Sequence, residues 1–315
     1  MSIQRFLSTL SVLLLFLSML IFPQGVFQGA SSGILLWFNT VLPTLLPFII
    51  LSNLLLRTPA IDWIASFTAP FMCRFFHVSS YGAFAILTGF LCGYPMGSKV
   101  TADLLKHNYI SKNEGQYLLS FCNNTSPMFI ISYIVWQNLQ NSALTLPVLF
   151  ILMLSPIFCS FFFRRFHQIP FKTSTSVHPF SKVHYGSETL ENLIDKCIMD
   201  GFETITKVGG YIMLFSILIA LIEYIPYHSV LITSIILPSL EITTGIKILC
   251  SAPIRPNTQI AFVLALTAFG GWCSVAQTKS MIHGTGLSIL PYIIEKLITA
   301  LVTSLFASIY LLLLI

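Results

Sequence analysis

Four short polar segments interrupt the apolar runs of this chain, and each one contains glycine or proline. A helix that is interrupted inside a lipid bilayer frees backbone N–H and C=O groups, which are tolerated only where they are buried in protein or line a wet cavity. The four segments therefore predict a ligand-binding site. They are GYPMGSK (residues 93–99), CNNTSP (122–127), PSLEITTG (238–245) and FGGWCSVAQ (269–277).

A helix that restarts after each segment would present unpaired N–H groups and the positive end of its dipole to the site. Gly97, Ser126, Thr244 and Ser274 stand at these restarts, and Ser126 with Pro127 behind it is a favourable pair for starting a helix. Four positive helix ends around one ligand predict that the ligand is an anion. The alternative is that the segments only fit helices together.

Two ionisable residues lie in these segments, and ionisable groups at membrane depth are functional hypotheses by default. Lys99 is predicted to neutralise a substrate carboxylate. Glu241 is predicted to bind a coupling H+ or Na+, or to pair with Lys99. The alternatives are that the Lys99 side chain extends to the interface and that Glu241 occupies an exposed hairpin tip.

Small and amide side chains complete the predicted site. Asn123 and Asn124 offer amide donors and acceptors to a ligand, although asparagine also joins membrane helices to one another. Glycines at positions 89, 93 and 97 recur every four residues, a spacing that helix packing explains as well as function does. The candidate substrate-binding residues are Gly93, Tyr94, Pro95, Gly97, Ser98, Lys99, Asn123, Asn124, Ser126, Glu241, Thr244, Gly270, Gly271, Ser274 and Gln277.

Composition identifies the elements that must position these residues. Of 315 residues, 55% are hydrophobic and 9% charged, whereas soluble domains carry about 25% charged residues. The length allows roughly seven or eight membrane spans of about 20 residues each. The net charge of +5 comes from basic residues at the ends of apolar runs, so no nucleic-acid partner is expected. Because the cysteines and histidines have no metal-ligand spacing and no enzyme motif is present, neither a metal, a cofactor nor enzymatic activity is expected.

The placement of lysine and arginine predicts the topology, since cytoplasmic loops are enriched in both. We expect spans at 6–22 and 33–56 joined by an outer loop at 23–32, an interfacial helix at 61–77, a re-entrant hairpin at 81–114, a broken span at 117–136 and a span at 144–163. Beyond a basic connector at 164–187, we expect an interfacial helix at 188–207, a span at 208–223 ended by Pro226, a re-entrant hairpin at 230–256, a broken span at 259–282 and a last span at 287–314. An uncleaved N-terminal anchor is favoured over a signal peptide.

Both halves thus contain the same elements with opposite starting sides. Gly93 and Asn123 are 30 residues apart, and Glu241 and Gly270 are 29 apart. The chain predicts an all-α integral membrane fold of two inverted-topology repeats with re-entrant helical hairpins and broken helices. The predicted units are an N-terminal segment with its outer loop at 1–32, repeat 1 at 33–163, the cytoplasmic connector at 164–187 and repeat 2 at 188–315.

Three blocks of this sequence resemble those of a known family. GFLCGYPMGSKVTADL, ISKNEGQYLLSFCNNTSPMFII and FGGWCSVAQ look like the corresponding blocks of the YlbJ/SpoVV sporulation integral membrane proteins, which carry the nucleoside-recognition or Gate domain in two copies. The resemblance covers the chain from about residue 33 onward. It implies a role in endospore formation, moving dipicolinic acid from the mother cell across the outer forespore membrane.

The sequence and the resemblance together predict a multi-pass membrane transporter of a small organic anion, surrounded by the lipid bilayer and compatible with a homo-oligomer. The main alternative is a non-enzymatic membrane scaffold or gate subunit that needs a partner. A second alternative is a transporter of nucleosides or related solutes, and an intramembrane enzyme is the most distant one.

Overall fold

A computed structural model of the protein describes residues 3–168, 189–224 and 232–314, and every regular element in these ranges is helical. The helices are α1 (Ile3–Ile21), α2 (Pro23–Leu36), α3 (Leu42–Leu56), α4 (Ala60–Phe76), α5 (Ser80–Cys92), α6 (Met96–Lys106), α7 (Lys112–Cys122), α8 (Pro127–Phe129), α9 (Thr145–Phe166), α10 (Leu190–Glu223), α11 (Leu237–Leu240), α12 (Ile242–Ser251), α13 (Pro256–Phe269), α14 (Gly271–Met281) and α15 (Ile289–Leu314). Wider π-helical turns over Trp37–Val41 join α2 to α3, those over Ile130–Leu139 extend α8, and those over Ile232–Ile236 precede α11.

Within the described ranges, six helical segments are long and apolar enough to cross a membrane. The prediction of an all-α, multi-pass integral membrane protein is therefore confirmed. The six segments are Pro23–Leu56, Lys112–Leu139, Ser142–Phe166, Leu190–Glu223, Pro256–Met281 and Ile289–Leu313.

The predicted outer loop at 23–32 is wrong, because these residues belong to α2 and continue through α3 as one 34-residue helix. Gly25, Gly29 and Gly33 explain the difference. They place the backbone of α2 directly against α10, so that a Cβ added at Gly29 would lie 2.9 Å from the backbone oxygen of Ser216. Glycines spaced by four favour such close packing of membrane helices. The span predicted at 33–56 therefore begins at Pro23 instead, while the domain boundaries stay a prediction.

The helix α10 is also a single 34-residue helix, so the interfacial segment and the span predicted at 188–207 and 208–223 are continuous. It runs antiparallel to α2 and α3, because Gly25 lies against Tyr224 at one end and Gly201 against Ile50 at the other. Antiparallel first helices are what two inverted repeats predict. The inversion of the hairpins, broken spans and last spans stays a prediction. Pro226 and most of the connector at 164–187 lie outside the described residues.

Short helices form at both predicted hairpins, whose re-entrant course through the membrane stays a prediction. In the first, α5 and α6 pack against each other on either side of residues 93–95, and their 13 and 11 residues extend about 20 and 17 Å, less than the roughly 30 Å of the hydrocarbon core. In the second, α11 packs on α12 around Glu241. Its predicted start at residue 230 lies outside the described residues.

The helix α4 meets the first hairpin at a right angle. Its last part, Pro70–Phe76, makes an angle of 89° with α5. Trp63, Phe67 and Phe71 are exposed along one side of α4. A helix perpendicular to its membrane-embedded neighbour, with exposed aromatic rings, has the geometry expected of the interfacial helix predicted at 61–77.

Candidate functional site

A cavity of about 70 Å³ lies where the four polar segments meet. At roughly 10–15 Å³ for one water, it has room for about five waters. Its remaining wall comes from Thr44 and Leu45 of α3 and from four apolar residues of other elements, namely Val41, Phe129, Val208 and Ile212. Predicted site residues in the lining are Gly93, Tyr94, Ser126, Glu241, Gly270, Ser274 and Gln277, joined by Thr125, Ile242, Thr243 and Cys273.

The other predicted residues lie in the same four segments but outside this lining. Their binding roles stay predictions, and their contacts are mostly with the protein itself. They are Pro95, Gly97, Ser98, Lys99, Asn123, Asn124, Thr244 and Gly271.

The tip of the first hairpin docks onto the break between α13 and α14. The Tyr94 hydroxyl donates to the Ala268 carbonyl oxygen over 3.1 Å. Gly270 lies at φ +86°, and a Cβ added there would be 2.7 Å from Tyr94 Cζ. Glycine is thus required at 270 both by its left-handed backbone and by the tyrosine ring against it.

The break between α7 and α8 is fixed by hydrogen bonds to the second half of the chain. Thr125 Oγ1 donates to the Thr267 carbonyl oxygen over 3.2 Å. Asn123 Nδ2 donates to Thr278 Oγ1 at 2.9 Å and to the Tyr292 hydroxyl at 3.0 Å. Asn123 Oδ1 accepts from the Ser98 backbone N–H at 3.3 Å. The Asn123 amide therefore joins helices to one another, as the alternative interpretation of the asparagines proposed.

The glycines at 89, 93 and 97 pack against this same break. A Cβ added at Gly89 would lie 1.9 Å from the Cys122 carbonyl oxygen, and one added at Gly97 would lie 2.3 Å from it. At Gly93, which has φ +87°, a Cβ would lie 2.9 Å from the Ser126 nitrogen. The repeat serves close packing of the first hairpin on the first broken span.

The four helix starts differ in how their N–H groups are satisfied. Ser126 Oγ accepts from the Phe129 N–H at 3.3 Å, and Asn123 supplies the acceptor for α6. Glu241 caps α12 by accepting from the Thr243 and Thr244 N–H groups at 3.1 and 2.8 Å. The start of α14 at Gly271 has no side-chain cap in the described part of the chain. It is therefore the helix end with the most capacity left for an anion.

Glu241 and Lys99 do not pair with each other. The Glu241 side chain is only 2% exposed, so the alternative of an exposed hairpin tip is wrong, and its carboxylate also accepts from the Thr243 hydroxyl. Lys99 Nζ lies 2.9 Å from Asp103 Oδ2 and donates to Asn53 Oδ1 at 3.0 Å. Its ammonium is thus matched by a carboxylate one helical turn away on α6.

A buried lysine on α15, Lys296, was not among the predicted site residues. Lys296 is 1% exposed, donates from Nζ to Asn124 Oδ1 at 3.0 Å, and lies 5.0 Å from the centre of the Tyr94 ring. The preceding Glu295 is hydrogen-bonded to His167. Two adjacent ionisable residues inside the last apolar run were the signal that could have found this site.

Comparison with known proteins agrees with an integral membrane protein. The chain is 26% identical to the sporulation integral membrane protein YlbJ of Bacillus subtilis (strain 168), in an alignment of 314 residues that covers 90% of this chain and 77% of that protein. The similarity confirms the resemblance to the YlbJ-type family. No protein-family profile matches the chain, and no solved structure matches it. The assignment of two Gate domains stays a prediction.

Proposed function

We propose that this protein is a membrane transporter of a small organic anion. The observation that carries the proposal is the cavity shared by two hairpin tips and two helix breaks. Secondary transporters bind their substrates near the middle of the membrane, where discontinuous helices meet. Irregular backbone at membrane depth otherwise has no solvent for its polar groups.

The charges around the cavity favour an anionic substrate. The carboxylate in the lining, Glu241, already caps α12, so its charge is balanced by N–H groups and the helix dipole. The N-terminus of α14 lies at the cavity without a side-chain cap in the described chain. Lys296 adds a buried ammonium behind Tyr94. Coupling to H+ or Na+ stays a prediction, with Glu241 as the candidate residue.

Similarity to the sporulation integral membrane protein YlbJ supports the proposal that this protein works in sporulation. The finer proposal, that its substrate is dipicolinic acid, comes from the resemblance of the three sequence blocks to the YlbJ/SpoVV family. Dipicolinate is a rigid aromatic dianion with about a dozen heavy atoms, more than a cavity with room for about five waters accommodates. We therefore expect the cavity to widen during transport, as alternating access around a central site requires. In a sporulating cell, the outer forespore membrane is the proposed location.

Uptake by purified protein tests the proposed function. The protein is reconstituted into liposomes that contain no other protein, and uptake of radiolabelled dipicolinate is measured with and without unlabelled nucleosides as competitors. Saturable uptake that nucleosides leave unchanged is expected. If vesicles that contain correctly folded protein take up no dipicolinate, the result contradicts transport and favours the membrane scaffold. Competition by nucleosides favours a transporter of nucleosides.

A cavity-filling pair of variants makes this test specific to the site. Thr44 lines the cavity, and its hydroxyl bonds only to carbonyl oxygens of its own helix. Thr44→Phe should therefore fill the cavity and abolish uptake without leaving a buried polar group unpaired. Leu51→Phe is the matched control, because Leu51 lies on the same helix with an exposed side chain. Equal uptake by both variants would argue against this cavity as the substrate site.

A further inference from the structure

Lys296 is a buried lysine whose contacts among the described residues are all with uncharged groups. Its Nζ donates to the Asn124 amide oxygen and faces the Tyr94 ring. Its electrostatic neighbours on α7 and α9 are the thiols of Cys122 and Cys159. Among the described residues, no carboxylate lies within 4 Å of this ammonium. An amide oxygen and an aromatic face therefore stand where a buried lysine ordinarily has an anion.

Other charged residues of the chain are paired or exposed. Glu295, the neighbour in sequence, is hydrogen-bonded to His167 of α9. Lys99 pairs with Asp103, and Lys279 is exposed. Lys296 thus differs from these two lysines in being buried and in having no carboxylate beside its ammonium in the described part of the chain. Removing such a charge from water costs several kcal/mol, which neutral partners offset only in part.

The Tyr94 side chain lies both in the cavity lining and against Lys296. Its ring faces the ammonium at 5.0 Å. Asn124, which holds the ammonium, is followed directly by Thr125 in the cavity lining. A rotation of the Tyr94 ring away from Ala268 would expose the ammonium to a ligand in the cavity, because the tyrosine hydroxyl makes the hydrogen bond that holds the ring there.

We propose that Lys296 binds a carboxylate of the transported anion, and that the Tyr94 side chain moves aside to let the anion in the cavity reach Lys296. The inference rests on the proposed transport function and adds the residue that recognises the negative charge. A carboxylate entering the cavity replaces the tyrosine ring at the ammonium with a charge-assisted hydrogen bond, which is about twice as strong as a neutral one. A substrate with two carboxylates places the second one at the N-terminus of α14.

Lysine substitutions test the inference in proteoliposomes. Lys296→Met keeps the length of the side chain and removes the charge, Lys296→Arg keeps the charge, and Lys279→Met is the control at an exposed lysine. The KM for dipicolinate is compared with that for its uncharged diamide. We expect Lys296→Met to raise the KM for the dianion by about tenfold or more, the effect of losing one hydrogen bond to a charged group. Lys296→Arg and the control should retain most of the discrimination between dianion and diamide.

The outcomes separate the inference from the function it rests on. If the wild-type protein transports neither compound, the proposed function fails and the inference fails with it. If the wild type transports the dianion and Lys296→Met does so with an unchanged KM, transport stands and the inference is overturned. If the role of Lys296 were purely structural, Lys296→Met would lower the amount of folded protein. Uptake of both substrates would then fall equally, and the discrimination between them would not change.

A second variant keeps the lysine and covers the case in which Lys296→Met does not fold. Asn124→Asp places a carboxylate 3.0 Å from the ammonium in the position of the present amide oxygen. This internal anion should compete with the substrate and raise the KM for the dianion by about tenfold. Asn124→Ala removes the same amide donor to Phe121 and also the acceptor of Lys296 Nζ, and it is the control for losing the amide without adding a charge. Equal KM values for the two Asn124 variants would overturn the inference.

Discussion

The substitution Gly270→Ala tests the docking of the first hairpin tip on the second broken span. Gly270 has φ +86°, and left-handed backbone costs a non-glycine residue about 1–2 kcal/mol. The added Cβ would also lie 2.5 Å from Ser274 Oγ and 2.7 Å from Tyr94 Cζ, and overpacking of a buried site costs about 1–3 kcal/mol. We expect a total destabilisation of about 2–5 kcal/mol.

Gly284→Ala is the matched control. Gly284 has a similar φ of +78°, but a Cβ added there would meet nothing within 4 Å, so only the backbone contribution of about 1–2 kcal/mol applies. The difference between the two variants isolates the contact with the hairpin tip. It is measured as the difference in apparent Tm in detergent, followed by tryptophan fluorescence.

A double-mutant cycle identifies the contact responsible. Tyr94→Leu removes the ring atoms that the Gly270→Ala methyl group would meet, so the two changes together should destabilise the protein by less than the sum of their separate effects. Additive effects, or a Gly270→Ala protein as stable as the Gly284→Ala protein, would refute the docking of Tyr94 at Gly270.

Three further predictions follow from the same geometry. Gly97→Ala should lower the yield of folded protein, because its Cβ would lie 2.3 Å from the Cys122 carbonyl oxygen. Gly210→Ala, whose Cβ would meet nothing within 4 Å, should instead stabilise its helix by about 1 kcal/mol. Tm measurements in detergent check both variants. Glu241→Gln should cost about 1–2 kcal/mol of stability in the same assay because it weakens the cap of α12, and an unchanged Tm would contradict this capping role. Lys99→Met should change the KM for dipicolinate by less than about twofold, because its partly exposed ion pair with Asp103 lies outside the cavity lining; a tenfold increase would restore Lys99 as a binding residue.

The positions of the breaks could be predicted from sequence because interrupted helices at membrane depth are expensive and glycine and proline mark them. The tip at residues 93–95 and the break at 123–126 were found in this way. The sequence could not show which polar groups bond to neighbouring helices and which remain for a ligand. Asn123 and Glu241 are used by neighbouring helices, and no local pattern distinguishes an amide that joins helices from one that awaits a ligand.

The helix at 23–32 and the buried Lys296 differ from the predictions for different physical reasons. The region at 23–32 was predicted as a loop because it lacks charges, whereas its glycines at intervals of four are the mark of a packed helix. Lys296 was overlooked because it lies near the start of a long apolar run, where a lysine ordinarily reaches the interface. Its burial depends on Tyr94 and Asn124, which are far away in sequence.

The most direct test of the account is a cryo-electron microscopy structure of the purified protein with saturating dipicolinate. The account predicts ligand density between the hairpin tip at Tyr94, the break at Ser126 and the start of α14 at Gly271, with one carboxylate within hydrogen-bonding distance of Lys296. Density for the ligand at another place, with Tyr94 still bonded to Ala268 and the cavity closed, would contradict it.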